Sequence, residues 1–260
     1  MAPLLDVQHV DVSYNGRAVV HDVSFQLEAG EILGIVGESG SGKSTVIRAA
    51  MGLLGNTGAV TRGDIYYKGQ SVTAAGAEEL RRMRGPAMGM IFQNTEASLC
   101  PIRSIGDQLF ESVCQHEKAS REEVRDRALE LFDRMRLNDG ERILNSYPFE
   151  LSGGMNQRVG IAAAMLMEPR VLLADEPASA LDAAVQKQTI EEMLRLRDMF
   201  GTAMIVVTHD MGVASAMADT VLVLKEGRIM EYGRAMQVLR SPKNEYTRNL
   251  LTAVYRLRRN

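Results

Sequence analysis

The segment Gly37-Glu38-Ser39-Gly40-Ser41-Gly42-Lys43-Ser44 fits the spacing GxxxxGK[ST], between a continuous apolar run at 31–36 and a helical pattern at 43–51. A buried strand, a glycine-rich turn and a helix N-terminus in that order commit the chain to α/β architecture, with the turn at a strand's carboxyl end. The glycines let the backbone fold close around a phosphate with its N–H groups pointing inward, and the helix N-terminus adds a favourable dipole. Gly37, Ser39, Gly40 and Gly42 form this cradle. Lys43 is placed to reach β- and γ-phosphates, Ser44 to ligate Mg²⁺, and Thr45 to add a hydroxyl contact.

A second site is expected to complete the chemistry. Val171-Leu172-Leu173-Ala174-Asp175-Glu176 reads as a buried strand that delivers two adjacent carboxylates at its end, where Pro177 stops it. Asp175 is expected to hold the Mg²⁺ shell, and Glu176 to polarise the attacking water as a general base, a role worth about 10²- to 10⁴-fold. Leu151-Ser152-Gly153-Gly154-Met155-Asn156-Gln157-Arg158 then places Ser-Gly-Gly ahead of a helical pattern, creating a second helix N-terminus able to meet an anion. One nucleotide does not need two such cradles in one chain.

The remaining pattern fits an α/β core interrupted by a helical insertion. Residues 4–27 read as a β-hairpin broken at Tyr14-Asn15-Gly16, and short strands are expected at 63–69 and 88–93. Between 104 and 144, Ile105, Leu109, Val113, Val124, Ala128, Leu131 and Met135 recur at helical spacing among many charges. Strands at 171–174, 203–208 and 220–224 then alternate with helices at 183–199 and 211–218, and 244–260 reads as a basic-tipped helix.

Bulk properties narrow the function. A formal net charge of −3 gives no basic excess to neutralise nucleic-acid phosphates. The longest uncharged stretch, 49–61, is too short and Gly-rich to cross a bilayer core of about 30 Å. The N-terminus shows no secretory signal, so a cytosolic location is expected. Only Cys100 and Cys114 are present, neither in a CxxC pair, which argues against a zinc site or a disulfide framework.

Taken together, the glycine loop, the Asp175-Glu176 strand end and the Leu151–Arg158 motif resemble the ATP-binding subunits of ABC transporters over nearly the whole chain. The resemblance implies a P-loop NTPase (RecA-like) core with an N-terminal antiparallel β-subdomain and an inserted α-helical subdomain. It implies β-subdomain plus core at 1–93 and 165–230, a helical and signature subdomain at 94–164, and a C-terminal tail at 231–260. Tyr14 resembles the aromatic that stacks on adenine, and Gln93 the glutamine that links Mg²⁺ and attacking water to the helical subdomain. Ser179-Ala180-Leu181-Asp182 resembles the loop along the dimer interface, and His209 the histidine that touches γ-phosphate. Read alone, Tyr14 is a hairpin residue and His209 a hydrogen-bonded strand-end histidine. The resemblance further implies that two subunits close head-to-tail around two ATP molecules, each site completed by the other's Ser152-type motif.

Three short segments narrow the branch: Ala97-Ser98-Leu99-Cys100-Pro101 with Ile105-Gly106-Asp107-Gln108, Tyr147-Pro148-Phe149-Glu150, and Tyr246-Thr247-Arg248-Asn249-Leu250. They are similar to the oligopeptide, dipeptide and nickel uptake branch, implying a nickel or metal-chelate cargo, or a di- or oligopeptide. Cys100 stands where Asn is common, Ala178 and Ser179 where Thr-Thr is common, and the stop at Asn260 resembles the shorter nickel-type subunits. The implied partners are a paralogous ATPase, two transmembrane permeases and an extracytoplasmic binding protein, with no nucleic acid, at the cytoplasmic face of the inner membrane. A competing expectation is a soluble ATPase of the same type in translation or DNA repair; another is a regulator that binds ATP without hydrolysing it.

Overall fold

The computed structural model describes residues 2–179 and 181–257, with side chains described as far as Thr252. Strands β1 (Leu5–Tyr14) and β2 (Arg17–Leu27) form the expected hairpin, joined by β4 (Gly58–Tyr67) and β5 (Gln70–Ser71) in an antiparallel sheet of order β2-β1-β4-β5. The second sheet contains β3 (Ile32–Val36), β6 (Met88–Ile91), β7 (Val171–Asp175), β8 (Ala203–Thr208), β9 (Thr220–Lys225) and β10 (Arg228–Arg234), in the order β10-β9-β3-β8-β7-β6. All of its pairings are parallel except that of β10 with β9.

Every residue of β3, β7 and β8 is buried, as unbroken apolar runs require of strands covered on both faces. Their alternation divides the core. Leu33, Ile35, Leu173, Ile205 and Val207 pack with the hairpin and with α1 (Lys43–Ala50) on one face. Ile32, Leu172, Met204 and Val206 pack on the other face against the helical insertion. The chain passes from β8 to β9 across β3, so the order reverses at β3; ligands of open parallel sheets bind at the carboxyl ends of such a point.

Between β5 and β7 lie α2 (Ala77–Met83), α3 (Thr95–Ser98), α4 (Ile105–Cys114), α5 (Arg121–Arg134), α6 (Gly140–Asn145), a 3₁₀ turn (Pro148–Glu150) and α7 (Gly153–Met165). Side-chain caps fix the starts of α3, α4, α5 and α7. Ser104 accepts from the Asp107 amide ahead of α4, and Ser120 with Glu123 forms a capping box ahead of α5. The buried stripes Ile105–Leu109–Val113 and Val124–Ala128–Leu131 then meet in one cluster. After β7 come α8 (Ala183–Phe200), α9 (Met211–Met217), α10 (Ala235–Arg240) and α11 (Glu245–Leu257).

Several expectations need correction. β4 begins at Gly58, five residues before the expected strand, and β6 ends at Ile91, leaving Phe92 and Gln93 in the following loop. A tail starting at residue 231 would cut β10 in two; this edge strand is only half-buried and lacks the apolar run that marks its neighbours. Helix α2 buries no residue, so it leaves no periodic signal in the sequence. Ala180 and residues 258–260, which belong to the expected interface loop and terminal helix, lie outside the described residues. Both cysteines are free thiols. No helix among the described residues is long and apolar enough to cross a membrane.

Candidate functional site

The glycine loop leaves the buried end of β3 and enters α1 without a side-chain cap and without an acidic residue in the first turn. The first-turn amides therefore remain available to an anion. Gly37 has φ 155°, and a Cβ there would overlap the Leu224 carbonyl oxygen, so only glycine allows the loop to pass this close to β9. Gly42, at φ 99°, turns the chain into α1 beside Val19 and Val20 of β2. The crest at Ser39 and Gly40 is exposed, while Ser44 and Thr45 are half-buried in the first turn. The Lys43 ammonium is buried and donates to the Gly37 and Glu38 carbonyls at 2.8 and 2.7 Å. Burial holds its pKa below the ordinary lysine value, against the opposing pull of Glu176, Asp175 and Glu38.

Parallel register brings the other groups to this edge. Val36 pairs with Thr208, Val207 with Asp175, and Ala174 with Ile91, so Asp175, Glu176 and His209 stand beside the loop and Gln93 follows the next strand. Asp175 is fully buried; its Oδ1 accepts from the Ser44 hydroxyl at 2.7 Å, and Arg48 Nη2 lies 3.9 Å from its Oδ2. Burial pushes the Asp175 carboxyl above its ordinary value, partly offset by the Ser44 hydrogen bond and the Arg48 charge. Oδ2 is a buried oxygen without a hydrogen-bond partner. With the Ser44 hydroxyl it forms a hard oxygen pair that fits Mg²⁺, an ion that keeps several waters and takes phosphate oxygens as further ligands. No group of three His, Cys, Asp or Glu residues among the described residues is arranged as a metal cage, so the pair suits only an ion shared with its substrate.

Glu176 sits at φ 52°, a left-handed conformation uncommon for a residue with a side chain, fixed by its amide's 2.9 Å hydrogen bond to Val207 O. That bend turns the carboxylate out of the strand toward His209, whose Nδ1 lies 2.8 Å from Oε1 and 2.6 Å from Oε2. The carboxylate accepts, so Nδ1 carries the proton. Glu176 is almost enclosed and His209 is more than half exposed, leaving the pair open to solvent on the histidine side.

Among the described residues, the other expected site residues make no hydrogen bond to this cluster. Ser152 caps α7, accepting from the Met155 amide at 3.3 Å, and is exposed with Gly153. Gly154 packs against Val185 at the start of α8. Asp182 caps α8 through the Ala184 and Val185 amides, both at 3.0 Å. Gln93 is exposed. Tyr14, half-buried at the hairpin end, packs its ring over Gly58.

Sequence reasoning gave no individual role to Arg48, Thr95, Gln157, Arg158 or Glu192. Arg48 follows Ser44 by four positions on α1, and that spacing could have placed both on one helix face. In α7, Gln157 accepts from Thr95 Oγ1 and donates to Pro177 O, both at 2.7 Å, tying the loop after Gln93 to the loop after Glu176. Arg158 makes a buried ion pair with Glu192 of α8. Polar residues on a helix read as a solvated face, so local pattern gives no sign that this run is internal.

Glycine loop, buried aspartate and paired Glu176–His209 on one edge of a parallel sheet, with a helical insertion carrying a second exposed helix N-terminus, define a P-loop ATPase of the ATP-binding-cassette class. The family model described as ABC transporter matches residues 20–179, and the chain belongs to that family. It is therefore an ATP-binding, ATP-hydrolysing and membrane-associated component of a transporter. The oligopeptide transport ATP-binding protein OppD of Salmonella typhimurium is 41% identical over 98% of this chain and 77% of its own length. The probable D,D-dipeptide transport ATP-binding protein DdpD of Escherichia coli is 42% identical over 96% of this chain and 77% of its own. The solved dimer of the ATP-binding cassette MJ0796 with ADP and Pi superposes with a TM-score of 0.78 at 28% identity, covering 89% of this chain and 98% of that one.

Proposed function

We propose that this chain is the ATPase subunit of a peptide importer, bound peripherally at the cytoplasmic face of the membrane to two permeases and served by an extracytoplasmic binding protein. The observation that carries the ATPase assignment is the buried Asp175 beside Ser44, next to Glu176 paired with His209. Lys43 and the loop amides bind β- and γ-phosphates. Mg²⁺ bound at Ser44 and Asp175 would neutralise charge on those phosphates. Glu176 takes the proton of the attacking water, while His209 holds the carboxylate in place and faces the γ-phosphate. Tyr14 stacks on adenine, and Gln93, in the loop after β6, links the Mg²⁺ and the attacking water to the helical insertion. The turn from Ser152 to Gly154, exposed at Ser152 and Gly153, closes on the nucleotide of a second, paralogous subunit, whose Ser152-type turn closes here in return. Asp182 lies along that interface. The contacts that the second subunit's turn makes with the γ-phosphate exist only in the closed pair, so hydrolysis releases it.

Peptide cargo is supported by relatives named for oligopeptide and D,D-dipeptide transport at about 40% identity along nearly the whole chain. Purification from detergent-solubilised membranes tests the reading. Two permeases, a second ATPase and a peptide-loaded binding protein are expected. A nickel-loaded binding protein would change the cargo, and ribosomes or DNA without membrane proteins would overturn transport.

A further inference from the structure

The glycine loop is braced from outside by the last part of the chain. The Leu224 carbonyl presses against Gly37, and the Gly227 amide donates to Ser41 O at 2.9 Å, both from the β9–β10 hairpin. A third brace comes from α11: the Glu38 amide donates to the Tyr246 phenol oxygen at 3.3 Å, across 208 positions of sequence. Helix α11 is seated to do this. Its approach is tied to β10 by the Lys243 and Asn244 amides on the Glu231 carboxylate, at 2.8 and 3.2 Å, and by Asn244 Nδ2 on Met230 O at 3.0 Å. Asn244 Oδ1 receives the Tyr246 amide at 2.8 Å, and Tyr246, Leu250 and Leu251 pack on the cluster of Val36, Val221 and Val223. Lys225 Nζ lies 4.9 Å from the centre of the Tyr246 ring, which fixes the ring's tilt. Burial pushes the phenol above its ordinary value, so it stays neutral at physiological pH.

We propose that Tyr246 is a positioning residue of the nucleotide site: its hydroxyl holds the Glu38 amide and with it the first bend of the glycine loop, making α11 part of the ATP-binding apparatus. The proposal rests on the glycine loop being the phosphate-binding element. By bracing the loop's bend, the hydroxyl contributes to ATP affinity through pre-organisation and leaves the chemical step alone.

The test uses the full chain in its membrane complex, with Tyr246→Phe, Tyr246→Ala and a control, Tyr232→Phe, whose phenol bonds to Gln26 O away from the loop. In Tyr246→Phe, amide exchange at Glu38 should speed up about fivefold, the size of one net hydrogen bond, while Gly227 keeps its protection. The ATP dissociation constant should rise by about the same factor, with the turnover number at saturating ATP unchanged. Tyr232→Phe should match wild type in all three. Unchanged Glu38 exchange, or unchanged ATP affinity, in Tyr246→Phe overturns the proposal. So does impairment in Tyr246→Ala alone, which would assign the effect to ring packing. A wild-type chain that binds no ATP while Glu38 exchange still responds to Tyr246→Phe would remove the nucleotide reading of the loop and the positioning role with it, leaving the hydrogen bond itself established.

Discussion

Glu192→Gln should be among the most destabilising conservative changes in this chain. Arg158 and Glu192 keep side-chain exposures of only 10% and 2%, with Nη2 2.5 Å from Oε1 and Nε 3.0 Å from Oε2. Arg158 Nη2 also donates to Met135 O at 2.6 Å and to Arg136 O at 3.2 Å. Replacing the carboxylate leaves the guanidinium with dipolar partners only, and an uncompensated buried charge of this kind costs about 3–5 kcal/mol. At roughly 2–4 °C per kcal/mol for a chain of this size, a loss of about 4 kcal/mol lowers the melting temperature by roughly 8–16 °C. The double variant Arg158→Met/Glu192→Leu removes both charges and should recover most of that loss. It keeps a deficit of about 1–2 kcal/mol, because the Met135 carbonyl loses its donor. Urea unfolding of wild type, Arg158→Met, Glu192→Leu and the double variant measures the coupling directly. A Glu192→Gln variant within about 1 kcal/mol of wild type would refute the claim that this pair is desolvated and anchors α7 to α8.

Asp175 carries a pH prediction. An acid whose folded pKa lies above its ordinary value of 3.8 favours the fold fully below that value and loses that contribution as pH rises through the folded pKa. Asp175→Asn, which can still accept from Ser44, should therefore gain melting temperature over the nucleotide-free wild type as pH rises; a gap that does not change with pH would mean an ordinary carboxyl. Gln157→Leu breaks the link between Thr95 and Pro177 and leaves the buried Pro177 carbonyl without its donor, while the Thr95 hydroxyl keeps Phe92 O, costing about 1–3 kcal/mol. Turnover by the complex should fall by a larger factor than ATP affinity, and equal falls would show that the link does not couple the two loops.

How much could be read beforehand follows from where the signals lie. β3, β7 and β8 are continuous apolar runs, and the glycine loop has a fixed spacing, so the core sheet and the strand–loop–helix turn were legible. The place of Asp175 and Glu176 at the end of β7 was legible because the apolar run stops there, although Asp175 is itself the last, buried residue of the strand. β10 and α2 were not, since an edge strand and a surface helix bury too little to leave a periodic pattern. The Glu176–His209 contact depends on parallel register across β7 and β8 and on a left-handed backbone at Glu176, neither of which a local window contains. Gln157, Arg158 and Tyr246 find their partners at separations from 20 to 208 positions, where only the fold brings them together.

The central claim is that Glu176 acts as the base of an ATPase coupled to peptide import. The direct measurement is ATP hydrolysis by the complete membrane complex, with and without peptide-loaded binding protein, for wild type and Glu176→Gln. Wild type should be stimulated by the loaded binding protein. Glu176→Gln should keep its ATP affinity and lose about 10²- to 10⁴-fold in turnover. Turnover in Glu176→Gln equal to wild type, or hydrolysis in wild type that ignores every peptide-loaded binding protein, would contradict the account.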